Sequence, residues 1–190
     1  HVGLSHVFKM VKAFREKDTQ TPIILMGYAN PIEAIGAEAF VERAKTADVD
    51  GIITVDYPPE ECMQFTKLLK EKNIDSIFLL SPTSELNRVK LIIEQASGFL
   101  YYVSLKGVTG AANIDIEQVK SKVGMIRELT DLPIGVGFGV RDAATAKEVA
   151  KISDAVVVGS RMVQEIENSN QENLIQNISK LMQELREAVN

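Results

Sequence analysis

Three short apolar runs between Phe99 and Ser160 each break into a glycine-marked turn, and that recurrence constrains the chain more than any other feature of it. The runs are Phe99-Leu-Tyr-Tyr-Val-Ser-Leu-Lys-Gly-Val-Thr-Gly110, Pro133-Ile-Gly-Val-Gly-Phe-Gly-Val-Arg141 and Ala155-Val-Val-Val-Gly-Ser160. Each reads as a buried parallel strand ending in a turn whose bare backbone N–H groups can hold an anion, because glycine lets the chain approach a ligand closely. Phosphate is the natural candidate. One such turn is ordinary chain reversal. Three at the ends of neighbouring strands are not, since parallel barrels bind phosphate with the loops after their last strands and the N-terminus of a short extra helix. Gly159-Ser160 followed by Arg161-Met-Val-Gln-Glu-Ile166 fits that helix.

The rest of the chain alternates between strand and helix patterns. Val7, Phe8, Val11 and Phe14 fall at helical spacing, and Pro22-Ile-Ile-Leu-Met-Gly27 is an apolar run of strand length. Asn30-Pro31 predicts the cap and first position of a helix that buries Ile35, Phe40, Val41 and Ala44. Asp50-Gly-Ile-Ile-Thr-Val-Asp56 and Ser76-Ile-Phe-Leu-Leu80 are further strands, separated by a helix starting near Glu60. Asp115 with Gln118 has the form of a capping box, Asp142 predicts another cap, and Leu174 to Val189 carries one apolar stripe.

Strand–helix units of about 30 residues define an α/β protein with a parallel sheet. About six strands are present, whereas a (β/α)8 TIM barrel needs eight. A helix at the start with no strand before it predicts such a barrel with about the first two βα units missing from the sequence. An open flavodoxin-like sheet explains the count without loss, but not the clustering of anion-type turns at the last strands. With 190 residues and 45% hydrophobic content, one domain over residues 1–190 is the economical reading. A net charge of −5 argues against nucleic acid or an acidic membrane as partner, and Cys62, the only cysteine, excludes a disulfide framework and zinc spacing. Without a signal peptide or a membrane-spanning apolar run, the expected location is cytoplasmic.

Placed in order, Met26-Gly-Tyr-Ala-Asn-Pro31, Asp50-Gly-Ile-Ile-Thr-Val-Asp-Tyr-Pro-Pro-Glu-Glu61, Ser104-Leu-Lys-Gly-Val-Thr-Gly110, Gly137-Phe-Gly139 and Val158-Gly-Ser160 resemble the tryptophan synthase alpha chain family over nearly the whole sequence. The resemblance implies a barrel lyase that cleaves indole-3-glycerol phosphate to indole and glyceraldehyde 3-phosphate beside a beta chain, in an alpha2-beta2 complex. It implies no cofactor and no metal for this chain, with pyridoxal phosphate in the beta chain alone. Gly110, Gly139, Gly159 and Ser160 match the family's phosphate-holding turns. Met26, Tyr28, Ile53, Tyr101 and Phe138 match positions of the indole pocket, and Thr109 the threonine of a mobile loop. Asn30, Asp56 and Pro58 match the surface facing the beta chain. A lid over Lys106 to Ala111 follows from the two glycines flanking Val108-Thr109.

Two departures stand out. Leu105 replaces an arginine that many relatives carry at the base of the mobile loop. The family's catalytic glutamate and aspartate belong to a Glu-Leu-Gly-x-Pro-Phe-Ser-Asp-Pro type segment that these 190 residues do not contain, so no catalytic residue is assigned and the polypeptide as written is expected not to catalyse. Asp56, at a strand's C-terminal end, has the position of a catalytic acid, but a carboxylate there also bonds turn amides, and it is kept as an interface residue. A noncatalytic phosphate-ligand or partner-binding module of the same fold, or another phosphate-binding barrel isomerase, is the alternative function.

Overall fold

A computed structural model describes residues 2–104 and 114–190. The chain divides into two compact units, His1–Leu79 with Asn87–Gly98, and Leu80–Leu86 with Phe99–Asn190.

The first unit opens with α1 (Leu4–Arg15), then β1 (Ile24–Tyr28), α2 (Ala29–Ile35), α3 (Ala37–Thr46), β2 (Gly51–Val55), α4 (Met63–Glu71), β3 (Asp75–Leu80) and α5 (Leu86–Gln95). β1 pairs parallel with β2, and β2 with β3. The expected single helix after Asn30-Pro31 is two. Gly36 takes φ +86, a left-handed value that ends α2 and starts α3 on a new axis, and Tyr28 rather than Asn30 is the N-cap residue. Three tilted aromatic contacts run through this core, Phe8–Phe40 at 5.8 Å, Phe40–Phe65 at 6.1 Å and Tyr57–Phe65 at 6.0 Å between ring centroids. Contacts of this geometry add about 0.5–1.5 kcal/mol each beyond the area they bury. Phe8 and Val11 are the buried positions of the α1 stripe, whereas Phe14 at its end is exposed.

The second unit contains β4 (Leu100–Val103), α6 (Ile116–Arg127), β5 (Ile134–Gly137), α7 (Ala143–Ala150), β6 (Ala155–Val157), α8 (Ser160–Glu167) and α9 (Leu174–Val189). β4 pairs parallel with β5, and β5 with β6. Both aspartate caps form: Asp115 accepts the Gln118 N–H at 3.0 Å and Asp142 the Thr145 N–H at 2.7 Å. The Thr145 backbone and hydroxyl hold the Asp142 carboxyl below its ordinary pKa. Leu181 and Leu185 bury the α9 stripe, which packs on α7. Tyr102, on β4, is buried with no partner for its hydroxyl among the described residues.

The same fastening recurs in each unit. Asp50, just before β2, exchanges bonds with Ile23: its N–H donates to the Ile23 carbonyl at 3.0 Å, and its carboxylate accepts the Ile23 N–H at 2.6 Å and Arg15 Nη2 at 2.5 Å. Asp154, just before β6, does likewise with Ile134, at 2.9 and 2.8 Å, and with Arg127 Nη2 at 2.9 Å.

Candidate functional site

In the second unit, the candidate anion turn follows a strand that is buried along its whole length. A Cβ placed on Gly137 would lie 2.3 Å from Tyr101 Oη, so only glycine lets the Tyr101 phenol lie across the neighbouring strand. The next two residues are both left-handed, Phe138 at φ +70 and Gly139 at φ +80. Glycine adopts that conformation freely, but for a bulky aromatic it is an outlier costing of order 1–3 kcal/mol, which the surroundings must offset. Ser104, the residue after β4, supplies part of the offset. Its N–H donates to the Gly137 carbonyl at 3.0 Å, and its buried hydroxyl lies 2.8 Å from that same oxygen and 2.5 Å from the Phe138 carbonyl. The Phe138 ring then sits 6.1 Å from that of Tyr101 at an interplanar angle of 39°, with 43% of the residue exposed. Burial pushes the Tyr101 phenol above its ordinary pKa, so it stays a neutral donor at physiological pH.

Gly159 and Ser160 form the third turn. Gly159 has φ −113 and caps α8, and a Cβ added there would meet no atom of the described residues within 4 Å. Glycine is a favoured N-cap residue, and the bare backbone here also leaves room for close approach by a ligand. The Gly159 carbonyl accepts the Met162 and Val163 N–H groups at 2.9 and 3.2 Å, while the N–H groups of Ser160 and Arg161 precede these bonds and stand at the positive end of the helix dipole. Gly110 and Thr109, with Leu105 and the expected lid over Lys106 to Ala111, lie outside the described residues.

Of the pocket residues, Met26, Tyr28 and Ile53 belong to the first unit, and Tyr101 and Phe138 to the second. The β1–β2 register sets Met26 beside Ile53, and Tyr28, two residues on, points to the same face of its strand. Met26 and Tyr28 are exposed on this face, whereas Ile53 is buried. The candidate partner-facing residues follow the C-terminal ends of these two strands. Asn30 lies in α2, and Asp56 takes a left-handed φ of +58 at the end of β2, ahead of Pro58.

The turn after β2 is fixed by contacts that periodicity does not reveal. Tyr57 donates its hydroxyl to Glu33 Oε1 at 2.9 Å, tying this turn to α2, and Gln95 Nε2 donates to the Pro59 carbonyl at 2.7 Å. Burial, then the Glu33 carboxylate, pushes the Tyr57 phenol up to about 12. Cys62 is the N-cap residue of α4 and not a residue of the helix; burial raises its thiol to about 11, so it is no thiolate nucleophile. No group of three or more histidine, cysteine or carboxylate side chains that could hold a metal occurs among the described residues. No helix among them is long and apolar enough to cross a membrane. Ser104, Glu33 and Gln95 had no individual signal in the sequence, because each acts on a main-chain or side-chain group more than 20 residues away.

Sequence and structural comparisons identify the family. The family model "Tryptophan synthase alpha chain" matches residues 1–190. The tryptophan synthase alpha chain of Nitrosomonas europaea is 52% identical over 189 residues, covering 100% of this chain and 69% of the relative. That of Herminiimonas arsenicoxydans is 54% identical over 189 residues, covering 100% and 71%. Among solved structures, tryptophan synthase subunit alpha from Legionella pneumophila matches with a TM-score of 0.86 at 35% identity, over 97% of this chain and 69% of that one. The aminoacrylate-bound tryptophan synthase from M. tuberculosis matches with a TM-score of 0.85 at 30% identity, over 100% and 69%. The six parallel strands are thus six strands of that family's (β/α)8 barrel, and the chain belongs to the tryptophan synthase alpha chain family, lyases of tryptophan biosynthesis.

Proposed function

We propose that this chain binds indole-3-glycerol phosphate for cleavage to indole and glyceraldehyde 3-phosphate. Main-chain N–H groups at Gly139, Gly159 and Ser160 hold the phosphate together with Gly110. Met26, Tyr28, Ile53, Tyr101 and Phe138 line the indole site, to which the resemblance also assigns Thr109. The observation that carries this reading is the left-handed pair Phe138–Gly139, which presents an aromatic ring beside Tyr101 and a bare backbone within one turn. A phosphate ester with an aromatic end matches both halves of it.

The reaction needs an acid to protonate the indole ring carbon, a base to take the glycerol hydroxyl proton, and stabilisation of the ring nitrogen as it becomes positive. Carboxylates tuned by burial suit these roles. The segment that supplies them in the family is not among these 190 residues, so the polypeptide by itself is expected to bind and not to turn over. Losing such acid–base help costs about 10²–10⁴-fold per group. A beta chain carrying pyridoxal phosphate docks on Asn30, Asp56 and Pro58 in an alpha2-beta2 complex, and the alpha chain itself needs neither cofactor nor metal. The cytoplasm is the location that suits a biosynthetic lyase.

Calorimetric titration with indole-3-glycerol phosphate, with indole release followed with and without an added beta chain, tests this reading. Binding without turnover is the expected result. Indole release by the pure 190-residue chain would instead place the acid–base work on a carboxylate within it, and Asp56→Asn would be the first variant to make. No binding of substrate at millimolar concentration would remove the proposal.

A further inference from the structure

We infer that Ser104 is a positioning residue for the phosphate site, aiming the Gly139 N–H by anchoring the other end of the same peptide group; the inference rests on the phosphate reading above. The planar trans peptide between Phe138 and Gly139 holds the Phe138 carbonyl and the Gly139 N–H antiparallel. Whatever fixes the carbonyl fixes the N–H, pointing the opposite way. The Ser104 hydroxyl, 2.5 Å from the Phe138 carbonyl and 2.8 Å from that of Gly137, fixes it.

Three further observations support this role. First, β4 and β5 are in register up to Val103 and Gly137, and the Ser104 N–H extends that ladder by one bond to the Gly137 carbonyl. The hydroxyl thus acts at the point where β5 leaves the sheet, on the carbonyl that follows the last one in the ladder. Second, Ser104 is 5% exposed, so its hydroxyl works in a site of low dielectric, where a hydrogen bond is stronger and an unmade one costs more. Third, Phe138 is held at φ +70, a conformation an aromatic residue leaves unless something restrains it. Without the hydroxyl, the Phe138–Gly139 peptide can rotate, turning the N–H away from the anion and the Phe138 ring away from Tyr101. Alanine removes the anchor, valine fills the space of threonine without a hydroxyl, and threonine keeps it.

The test is a titration of the chain and its Ser104→Ala, Ser104→Val and Ser104→Thr variants with inorganic phosphate at constant ionic strength. It follows the Gly139 amide by ¹⁵N NMR and the backbone φ of Phe138 through its three-bond H–N–Cα–H coupling. Expected are about 10-fold weaker phosphate binding and a changed Phe138 coupling in S104A and S104V, with both restored toward wild type in S104T. Thermal melts without phosphate show whether each variant is folded. If S104V or S104T fails to fold, S104A against wild type decides alone, and Ser104→Cys, which keeps a weak donor, replaces threonine. Wild type that binds phosphate while S104A binds it equally well, or keeps the same Phe138 coupling, overturns the inference and leaves the phosphate reading standing. Wild type that binds no phosphate overturns the phosphate reading, and the inference with it.

Discussion

The last residue of α1, Arg15, and the last residue of α6, Arg127, each reach an aspartate that stands just before a strand, and each aspartate exchanges two bonds with the start of the strand beside it. The hydrogen-bonding pattern is shared and the surroundings differ. The Arg15 side chain is 9% exposed and also donates to the carbonyls of Asp48 at 2.9 Å, Thr21 at 2.7 Å and Asp18 at 3.3 Å. The Arg127 side chain is 45% exposed and is bonded to Asp154. Arg15 therefore gathers three stretches of chain around one guanidinium, whose fixed fork of donors suits several acceptors at once. Arg127 makes an ion pair of the surface kind, whose worth is about 0–1 kcal/mol. The arginine of the motif, then, ties stretches of chain together in one unit and adds little in the other.

Substitutions can break this comparison, and the largest effect should come from Arg15. Arg15→Met keeps the apolar stem and removes all the donors, leaving carbonyls and a carboxylate short of partners. It should lower unfolding stability by roughly 2–4 kcal/mol in urea melts, the range for losing a buried charged donor. A loss under about 1 kcal/mol would mean that burial makes no difference to the motif. Next come Asp50→Ala and Asp154→Ala, which leave unpaired the N–H groups of Ile23, just before β1, and of Ile134, the first residue of β5. Each should cost about 1–3 kcal/mol, with Asp50→Ala the larger because it also strands the buried Arg15. The reverse order would sink the idea that the arginine sets the difference. Arg127→Met should change stability by at most about 1 kcal/mol, a loss that salt diminishes in the wild type.

The smallest expected effect is a pH dependence. Burial works against the charged Asp154, but the Ile134 N–H and the Arg127 guanidinium outweigh it and hold the carboxyl below its ordinary value. A depressed carboxylate contributes stability that is fully present above its unfolded pKa of about 3.9 and is lost as pH falls through the lowered folded value. The stability difference between wild type and Asp154→Asn should be flat from neutral pH to about 4 and shrink below that. A difference that shrinks between pH 7 and 5 would assign it to another group.

Much of this architecture was legible because it depends on neighbours in sequence. Each of the six strands overlaps a run that the sequence marked out, with β1 ending one residue beyond its run at Tyr28 and β3 starting one residue before its run at Asp75, and the Asp115 and Asp142 caps follow from spacing alone. The break at Gly36 needed a backbone angle: a helical stripe continues across it in sequence, while φ +86 divides it in space. The candidate turns were legible through their glycines. Their supports were not, since Ser104 acts on a carbonyl 34 residues away and Arg15 on a carboxylate 35 residues away. Phe138 shows the limit most clearly, for nothing in an aromatic residue between two glycines tells that it, like Gly139 after it, will be left-handed.

The packing of Tyr101 against Phe138 has an optical consequence. The chain has no tryptophan, so its near-ultraviolet emission comes from four tyrosines. Tyr101 and Tyr102 are both buried and both held above the ordinary phenol pKa by that burial. An indole ring arriving beside Tyr101 would be the only indole in the sample, absorbing where tyrosine emits. Occupancy of the pocket can therefore be followed as energy transfer from the protein's own phenols to its ligand, without a label and without a protein background at the indole wavelength.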